Sequence, residues 1–356
     1  YVLNIVQRLK KEFEIVILTS NHESNIYEIK EILGFKVYSL PYWFKISNTP
    51  INPLWYFYLK EIIKKENPDI INAHMPVPLL TDIVTYIAPE KTIITYHNDV
   101  VKQGFLGTMG RLYHLFIGDT TLKKAKAIIA TSKYYVQISP YLKKYSAKIS
   151  IVSPGVDLKV FNPSVKKGFL MGESCKKIVF VGQLSKSHYH KGLEYLIQAF
   201  SLIHKNLGKI HLYVCGKGDN IGDYKELARK LKVDSQVTFL GFVEQKDLPK
   251  VYSDADVVVL PTYSNAEGWG MVLAEANACG TPVIGTKVGG IPAVVQNGVN
   301  GLLVPPKDSK ALAEAIEKIL RDEKLAKRLG HNGAEKAKKE WDWEILAEKT
   351  KEIFRE

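Results

Sequence analysis

Residues 256–285 read DVVVLPTYSNAEGWGMVLAEANACGTPVIG, and the fold is decided there. The run 256–260 is β-branched and almost wholly apolar, the pattern of a parallel strand buried on both faces, and Pro261 ends it. A polar loop then carries Glu267 past two glycines. Met271, Leu273, Ala274 and Ala278 form an apolar stripe that predicts a helix from near residue 268 to 279, with Glu275 inside it, and residues 282–285 predict a second short strand. The loop therefore sits at the carboxyl end of a buried strand, where open α/β sheets place their ligands.

Physically this is an anion site. The first N–H groups of a helix have no intrahelical partner, so those near Gly268, Gly270, Met271 and Val272 are available to phosphate oxygens, and glycines at 268 and 270 permit close approach. Glu267 and Glu275 are too far apart to pair on one helical face. Glu267 stands at the mouth, within reach of a sugar or leaving group; Glu275 lies about two turns deeper, suited to accepting hydrogen bonds from hydroxyls. A glutamate before a helix is also a favourable N-terminal charge and nothing more, and the residues alone leave both readings open.

The segment resembles the signature of the retaining glycosyltransferases of family 4 (the group 1 glycosyltransferases): a Glu, seven residues, a second Glu, a small apolar helix end and a Gly-x-Pro-Val strand. Glu267 and Glu275 match the two glutamates, and the surrounding EGWGMVLAEANACGTPVIG is far more specific than their spacing. The resemblance implies the GT-B fold, an α/β architecture of two Rossmann-like parallel-sheet domains facing across a cleft. It sets an acceptor-side domain at 1–155, a nucleotide-sugar domain at 156–338, and a terminal helix at 339–356 packing back on the first domain.

Bulk properties fit. A chain of 356 residues suits two domains. Cys175, Cys215 and Cys279 are widely separated and read as buried thiols rather than ligands or disulfides. There is no eighteen-residue apolar run and no export signal, so a cytoplasmic protein is expected, with the inner face of the membrane left open. A formal charge of +12 favours anionic partners: phosphates, nucleotides or a lipid surface.

The chain opens on a helical stripe of Val2, Ile5, Val6 and Leu9, followed by a predicted strand at 13–18. A doubly wound domain normally begins with a strand and tight loop before its first helix, and in the resembling family that opening carries a Gly-Gly loop beside acceptor and phosphates. That opening is absent from the sequence, which leads us to expect further residues upstream of Tyr1. Repeated α/β follows, with strands at 36–39, 70–73, 92–96, 127–131 and 148–152 and helices near 51–66, 77–88, 105–121 and 133–142. Tyr42, Trp43, Phe44, Trp55, Tyr56, Phe57 and Tyr58 cluster around Pro50 and Pro53 beside Lys45 and Lys60, either as packing of a surface helix or as a membrane-facing or acceptor-binding patch. Up to Ser153 there are 19 Lys or Arg against 12 Asp or Glu, which keeps the lipid-surface reading open.

His74 and His97 each follow a strand, in DIINAHMP and TIITYHND. A histidine there is commonly structural; two at strand ends raise the functional reading. His97 resembles the family position close to the donor sugar, which implies sugar orientation, and His74, Asn98 and Asp99 are acceptor-side candidates. A metal at His74 lacks any His or Cys at local ligand spacing.

Residues 153–163, SPGVDLKVFNP, hold the expected hinge, and 164–175 read as a polar surface connection. After a strand at 177–181 come Gly182 and Gln183, then Lys186, and Lys191 at the start of a helix, where its ammonium can meet a pyrophosphate. The resembling family often has arginine where Gln183 stands; Lys186 either compensates or points into solvent. Gly216 and Gly218 follow a strand at 211–215, but Ile221 occupies the place of the third glycine of a dinucleotide fingerprint, which argues against a nicotinamide dehydrogenase. The resemblance places Gly216 beside the nucleotide diphosphate and Val243 near its base. Asp254 and Asp256 form an Asp-x-Asp that we read as local capping and solubility rather than metal coordination, so no metal and no cofactor is expected.

The reaction implied is transfer of a hexosyl-type group from a UDP- or GDP-sugar, the base unresolved, to a glycan, lipid-linked or small-polyol hydroxyl, with anomeric configuration retained. Glu267, His97 and Lys191 are the catalytic candidates. A GT-B sugar-nucleotide epimerase and a non-catalytic sugar- or nucleotide-binding protein are the alternatives; no nucleic-acid partner is expected.

Overall fold

Parallel β-sheets organise the chain in both of its units, Tyr1–Ser153 joined by Leu346–Glu356, and Pro154–Ile345. The computed structural model describes residues 1–21, 25–46, 49–101, 104–170 and 175–356. Part of the 164–175 connection and part of the aromatic stretch at 42–58 thus lie outside the described residues.

In the first unit β1 (Val16–Ser20), β2 (Glu28–Ile32) and β3 (Phe35–Leu40) form one sheet, ordered β1-β3-β2, with β1–β3 parallel and β2–β3 antiparallel. A short antiparallel hairpin, β4 (Phe44–Ile46) with β5 (Thr49–Ile51), follows. A second sheet is wholly parallel: β6 (Ile71–Met75), β7 (Thr92–Tyr96), β8 (Ala127–Ala130) and β9 (Ile149–Ile151) in sequence order. A cavity of about 520 Å³ is bordered by Val16 and Leu18 of β1 and by Ile71 and Ala73 of β6.

Two sequence expectations change here. The aromatic stretch is a hairpin followed by a helix, Trp55–Glu66, that starts later than the expected residue 51 because Pro53 and the Asn52 turn precede it. Trp55 is fully buried with its Nε1 donating to the Pro41 carbonyl at 2.8 Å, whereas Trp43, Phe44 and Phe57 are exposed. The helix expected at 105–121 is instead an α-helix Gly104–Tyr113, a π-helical turn His114–Gly118 and a further helix Asp119–Lys124. Phe105, Met109, Leu112 and Phe116, at helical spacing, are all exposed.

The second unit holds one six-stranded parallel sheet, ordered β12-β11-β10-β13-β14-β15, from β10 (Lys176–Val181), β11 (Ile210–Cys215), β12 (Val237–Gly241), β13 (Val257–Leu260), β14 (Val283–Thr286) and β15 (Gly301–Val304). Leu193–Ile203 packs with Ser309–Arg321 and Met271–Ala278 packs with Glu323–Glu340, two separate helix pairs laid over the sheet, and its central strands are buried. That is why they are continuous apolar runs: Val257, Val258, Val259 and Leu260 are all buried, each side chain contributing roughly 2 kcal/mol by leaving water. Strand order reverses direction at β10 and β13, the topological switch point at which an open sheet forms its crevice.

Candidate active site

At the carboxyl ends of β10 and β13 two loops are knitted together. The His190 carbonyl accepts from Thr262 Oγ1 at 2.7 Å and from the Tyr263 N–H at 3.0 Å, which fixes the loop after β13 against the segment leading to Lys191. Lys191 Nζ then lies 3.0 Å from Glu267 Oε2, the two side chains only 19% and 15% exposed. The aliphatic stem of Lys191 runs over Gly182, where an added Cβ would come within 2.9 Å of its Cδ. Next to it, Gly216 has φ +149° and a Cβ there would sit 1.8 Å from the Gly182 carbonyl oxygen, so β10 and β11 end in bare backbone. Gln183 and Lys186 are both exposed; the Lys186 N–H donates to Asp219 Oδ1 at 2.8 Å. Val243 is half-buried against the core of the unit.

The helix after Glu267 spans Met271–Ala278, three residues later than the expected start at 268. Gly270 is its N-cap with φ +99°, a left-handed conformation that turns the chain from the loop into the helix, so the N–H of Gly268 belongs to the loop and those of Met271 and Val272 open the helix. Glu275 lies within it, 9% exposed, accepting from Tyr252 Oη at 2.9 Å; burial pushes its carboxyl up to about 7.

The sequence reading missed what holds the Glu267 loop. The Gly290 N–H donates to the Glu267 carbonyl at 2.7 Å and the Gly289 N–H to Asn265 Oδ1 at 3.0 Å. A Cβ on Gly289 would fall 2.2 Å from the Glu267 oxygen, and one on Gly290 2.1 Å from the Gly268 oxygen. Only glycine permits this approach, and the Gly-Gly pair following a strand was the available signal. Tyr252, the partner of Glu275, carried no local signal at all.

The Asp-x-Asp is accounted for more fully than by capping. Asp254 accepts from the N–H groups of Gly168, Phe169 and Leu170 at 2.8, 2.6 and 2.7 Å, which ties a distant turn to the end of its helix, and Asp256 accepts from the Lys177 N–H at 2.8 Å and Lys176 Nζ at 3.0 Å. Among the described residues no group of three or more His, Cys, Asp and Glu side chains is placed to hold a metal ion.

In the first unit the parallel register of β6 and β7 pairs His74 with Thr95, and the His97 N–H donates to the Met75 carbonyl at 2.9 Å. The two imidazoles meet, His74 Nδ1 lying 2.8 Å from His97 Nε2. Burial holds His74 down at about 3 and His97 at about 4, so both are neutral at neutral pH. Asn98 Nδ2 donates to the Asp99 carbonyl at 2.9 Å. Asp99 is 5% exposed and its carboxylate accepts from Tyr96 Oη at 2.7 Å and Ser139 Oγ at 2.8 Å, which places it inside the packing of the unit, and burial raises it.

Residues 1–160 match the family model described as Glycosyltransferase Family 4, and residues 165–336 match the model described as Glycosyl transferases group 1. The chain is 35% identical over 181 residues to an uncharacterized glycosyltransferase of Methanocaldococcus jannaschii, a match of 51% of this chain but only 45% of that protein's length. To O-antigen chain mannosyltransferase C of Escherichia coli it is 28% identical over 295 residues, covering 81% of this chain and 75% of that one. Sucrose-phosphate synthase of Thermosynechococcus elongatus shares the fold across 100% of this chain and 92% of its own, with a TM-score of 0.78 and 24% identity. The two models together take in nearly the whole chain, which belongs to the GT-B glycosyltransferases of family 4 and group 1.

Proposed function

We propose that the protein moves a glycosyl group from a nucleotide diphosphate sugar to an acceptor hydroxyl with retained anomeric configuration. The observation that carries this reading is the Lys191–Glu267 pair at the mouth of the Met271–Ala278 helix, beside strand ends stripped to glycine. An ammonium, a helix N-terminus and bare backbone together suit a diphosphate. When the donor enters, Lys191 exchanges the Glu267 carboxylate for a diphosphate oxygen, which leaves Glu267 to accept from sugar hydroxyls. Glu275 holds the ribose hydroxyls, Val243 borders the base, and His97 orients the sugar, as family resemblance implies. His74 and Asn98 serve the acceptor side, and Asp99, whose carboxylate, N–H and carbonyl are engaged by Tyr96, Ser139, Tyr135 and Asn98, braces that strand end from within.

In the transfer step the bond from the anomeric carbon to the diphosphate oxygen breaks while the bond to the acceptor oxygen forms on the same face. The acceptor proton passes to the departing phosphate oxygen. Negative charge grows on the leaving group as this happens, and Lys191 with the helix N–H groups is preorganised to meet it. Retention distinguishes this from inversion, and nuclear magnetic resonance of the first-formed product reads it directly.

The acceptor is a glycan, lipid-linked or polyol hydroxyl. The exposed stripe of Phe105, Met109, Leu112 and Phe116 supports peripheral contact with a lipid surface, since among the described residues no helix is long and apolar enough to cross a membrane. The test is consumption of UDP- and GDP-sugars by purified protein against lipid-phosphate, polysaccharide and polyol acceptors. Transfer is expected with one donor–acceptor pair and is expected to persist in chelator. Loss of activity restored by Mg²⁺ or Mn²⁺ would overturn the assignment of charge neutralisation to Lys191 and backbone, and conversion of a sugar nucleotide without any acceptor would replace transfer with epimerisation.

A further inference from the structure

The imidazoles of His74 and His97 lie 12° from parallel with centroids 5.1 Å apart, and the nitrogen–nitrogen distance is 2.8 Å. That nitrogen–nitrogen separation plus one ring radius on either side accounts for the centroid distance, so the rings meet edge to edge in a near-common plane rather than face to face. Tyr1 stands across both, at 72° to His74 and 83° to His97. Burial keeps both rings neutral, so each carries a single N–H. A hydrogen bond between His74 Nδ1 and His97 Nε2 requires one of the two to carry its proton and the other to be bare. Only two arrangements satisfy that. If His74 Nδ1 donates, His97 is bare at Nε2 and protonated at Nδ1; if His97 Nε2 donates, its Nδ1 is bare.

We infer that His74 is a positioning residue that sets the tautomer of His97, and so decides whether His97 Nδ1 offers a ligand hydroxyl a donor or an acceptor. With Nε2 committed to His74, Nδ1 is the one ring nitrogen of His97 left for a ligand, and its character is not its own to choose. The step from this coupling to catalysis rests on the proposed reading that His97 orients the donor sugar; the coupling itself does not.

The experiment compares three full-length proteins: parent, His74→Leu and His74→Asn. Leucine keeps bulk and removes the partner, whereas the asparagine amide falls near the Nδ1 position and can donate or accept. Nitrogen-15 shifts of the His97 ring report its tautomer without any substrate. The parent is expected to show one tautomer, His74→Leu a different or mixed population, and His74→Asn again a single one. Identical His97 nitrogen shifts in the parent and in a folded His74→Leu protein overturn the inference. Transfer by His74→Leu is expected to fall about tenfold in kcat, with nucleoside-diphosphate affinity unchanged, and to recover most of that loss in His74→Asn. If His97 changes tautomer in His74→Leu while kcat holds, the coupling stands and the placing of His97 at the sugar fails. Where His74→Leu does not fold, the asparagine variant carries the test: a His97 tautomer that differs from the parent's and is mixed overturns the inference, and a single one upholds it.

Discussion

In the second unit β10 and β11 run out into Gly182 and Gly216 beside a full ion pair, whereas in the first β6 and β7 run out into two histidines that burial keeps uncharged. Both are strand ends of parallel sheets, the position where α/β folds expose ligands. The difference lies in what each can hold. Bare backbone, a helix N-terminus and a lysine tolerate a multiply charged group; a neutral imidazole pair has no charge to offer and can only sort donors from acceptors. On the proposed reading one end takes a diphosphate and the other hydroxyls.

The sharpest way to break that contrast is Glu267→Gln, which keeps size and removes charge. Turnover is expected to fall about a hundredfold, roughly 2.7 kcal/mol, while binding of a nucleoside diphosphate lacking the sugar is retained. Rates at the parental level in a folded variant, with binding followed by calorimetry, would remove Glu267 from the sugar site.

Next in size is the pH response of Glu275, whose carboxyl burial raises to about 7. Below the unfolded value both states hold the proton; between that value and about 7 the unfolded chain releases it and the folded chain keeps it. Stability contributed by this group is therefore full in acid and is lost as pH rises through about 7, a swing of about 2 kcal/mol between roughly pH 5 and pH 8. Glu275→Gln should flatten that part of the profile, read as denaturation midpoints at the two pH values. An unchanged slope would show that Glu275 is ionised in the free protein.

Lys191→Ala removes the cation proposed to meet the leaving group, and an efficiency loss of at least about tenfold, roughly 1.4 kcal/mol, is expected. Unchanged donor binding and turnover would mean that the diphosphate is held elsewhere. The smallest effect concerns Gln183, exposed at the end of β10 where the resembling family often has arginine. Gln183→Arg adds a charge-assisted contact at the same strand end, and KM for the donor should fall about threefold. A rise instead would show that Lys186 already fills that role.

Much of the second unit was legible because buried parallel strands announce themselves: Val257–Leu260 is apolar at every position, and the glycine, lysine and glutamate after such runs lie beyond carboxyl strand ends, the place where open sheets expose ligands. The first unit was less so. β2 reads Glu-Ile-Lys-Glu-Ile, an edge strand with little buried surface and hence no hydrophobic run to find. The hairpin β4–β5 carries Pro50, and a proline weakens the strand pattern around it. At the site, each histidine was visible alone, but their contact depends on the register of β6 and β7, and the Gly289–Gly290 seat depends on a loop 22 residues earlier in the chain folding back onto it. Asp254 was misjudged for the same reason: its three backbone donors lie 84–86 residues away. Local pattern reports what an element buries, and it is silent about which distant backbone will come within a hydrogen bond.

Residues Leu346–Glu356 belong to the first unit, where Glu12 accepts from Lys351 at 2.9 Å and Arg355 at 2.6 Å and Phe13 meets Phe354 edge-on. The Glu12–Lys351 contact joins positions 339 residues apart. During synthesis residues 1–153 must therefore wait for Leu346–Glu356, while everything from Pro154 to Ile345 is already on hand to fold as a unit. Closing so long a loop is slow even where it costs little free energy, so the second unit is expected to mature ahead of the first. A nascent chain held with Ile345 just clear of the ribosome and Leu346–Glu356 still inside it would carry a finished second unit and an open first one.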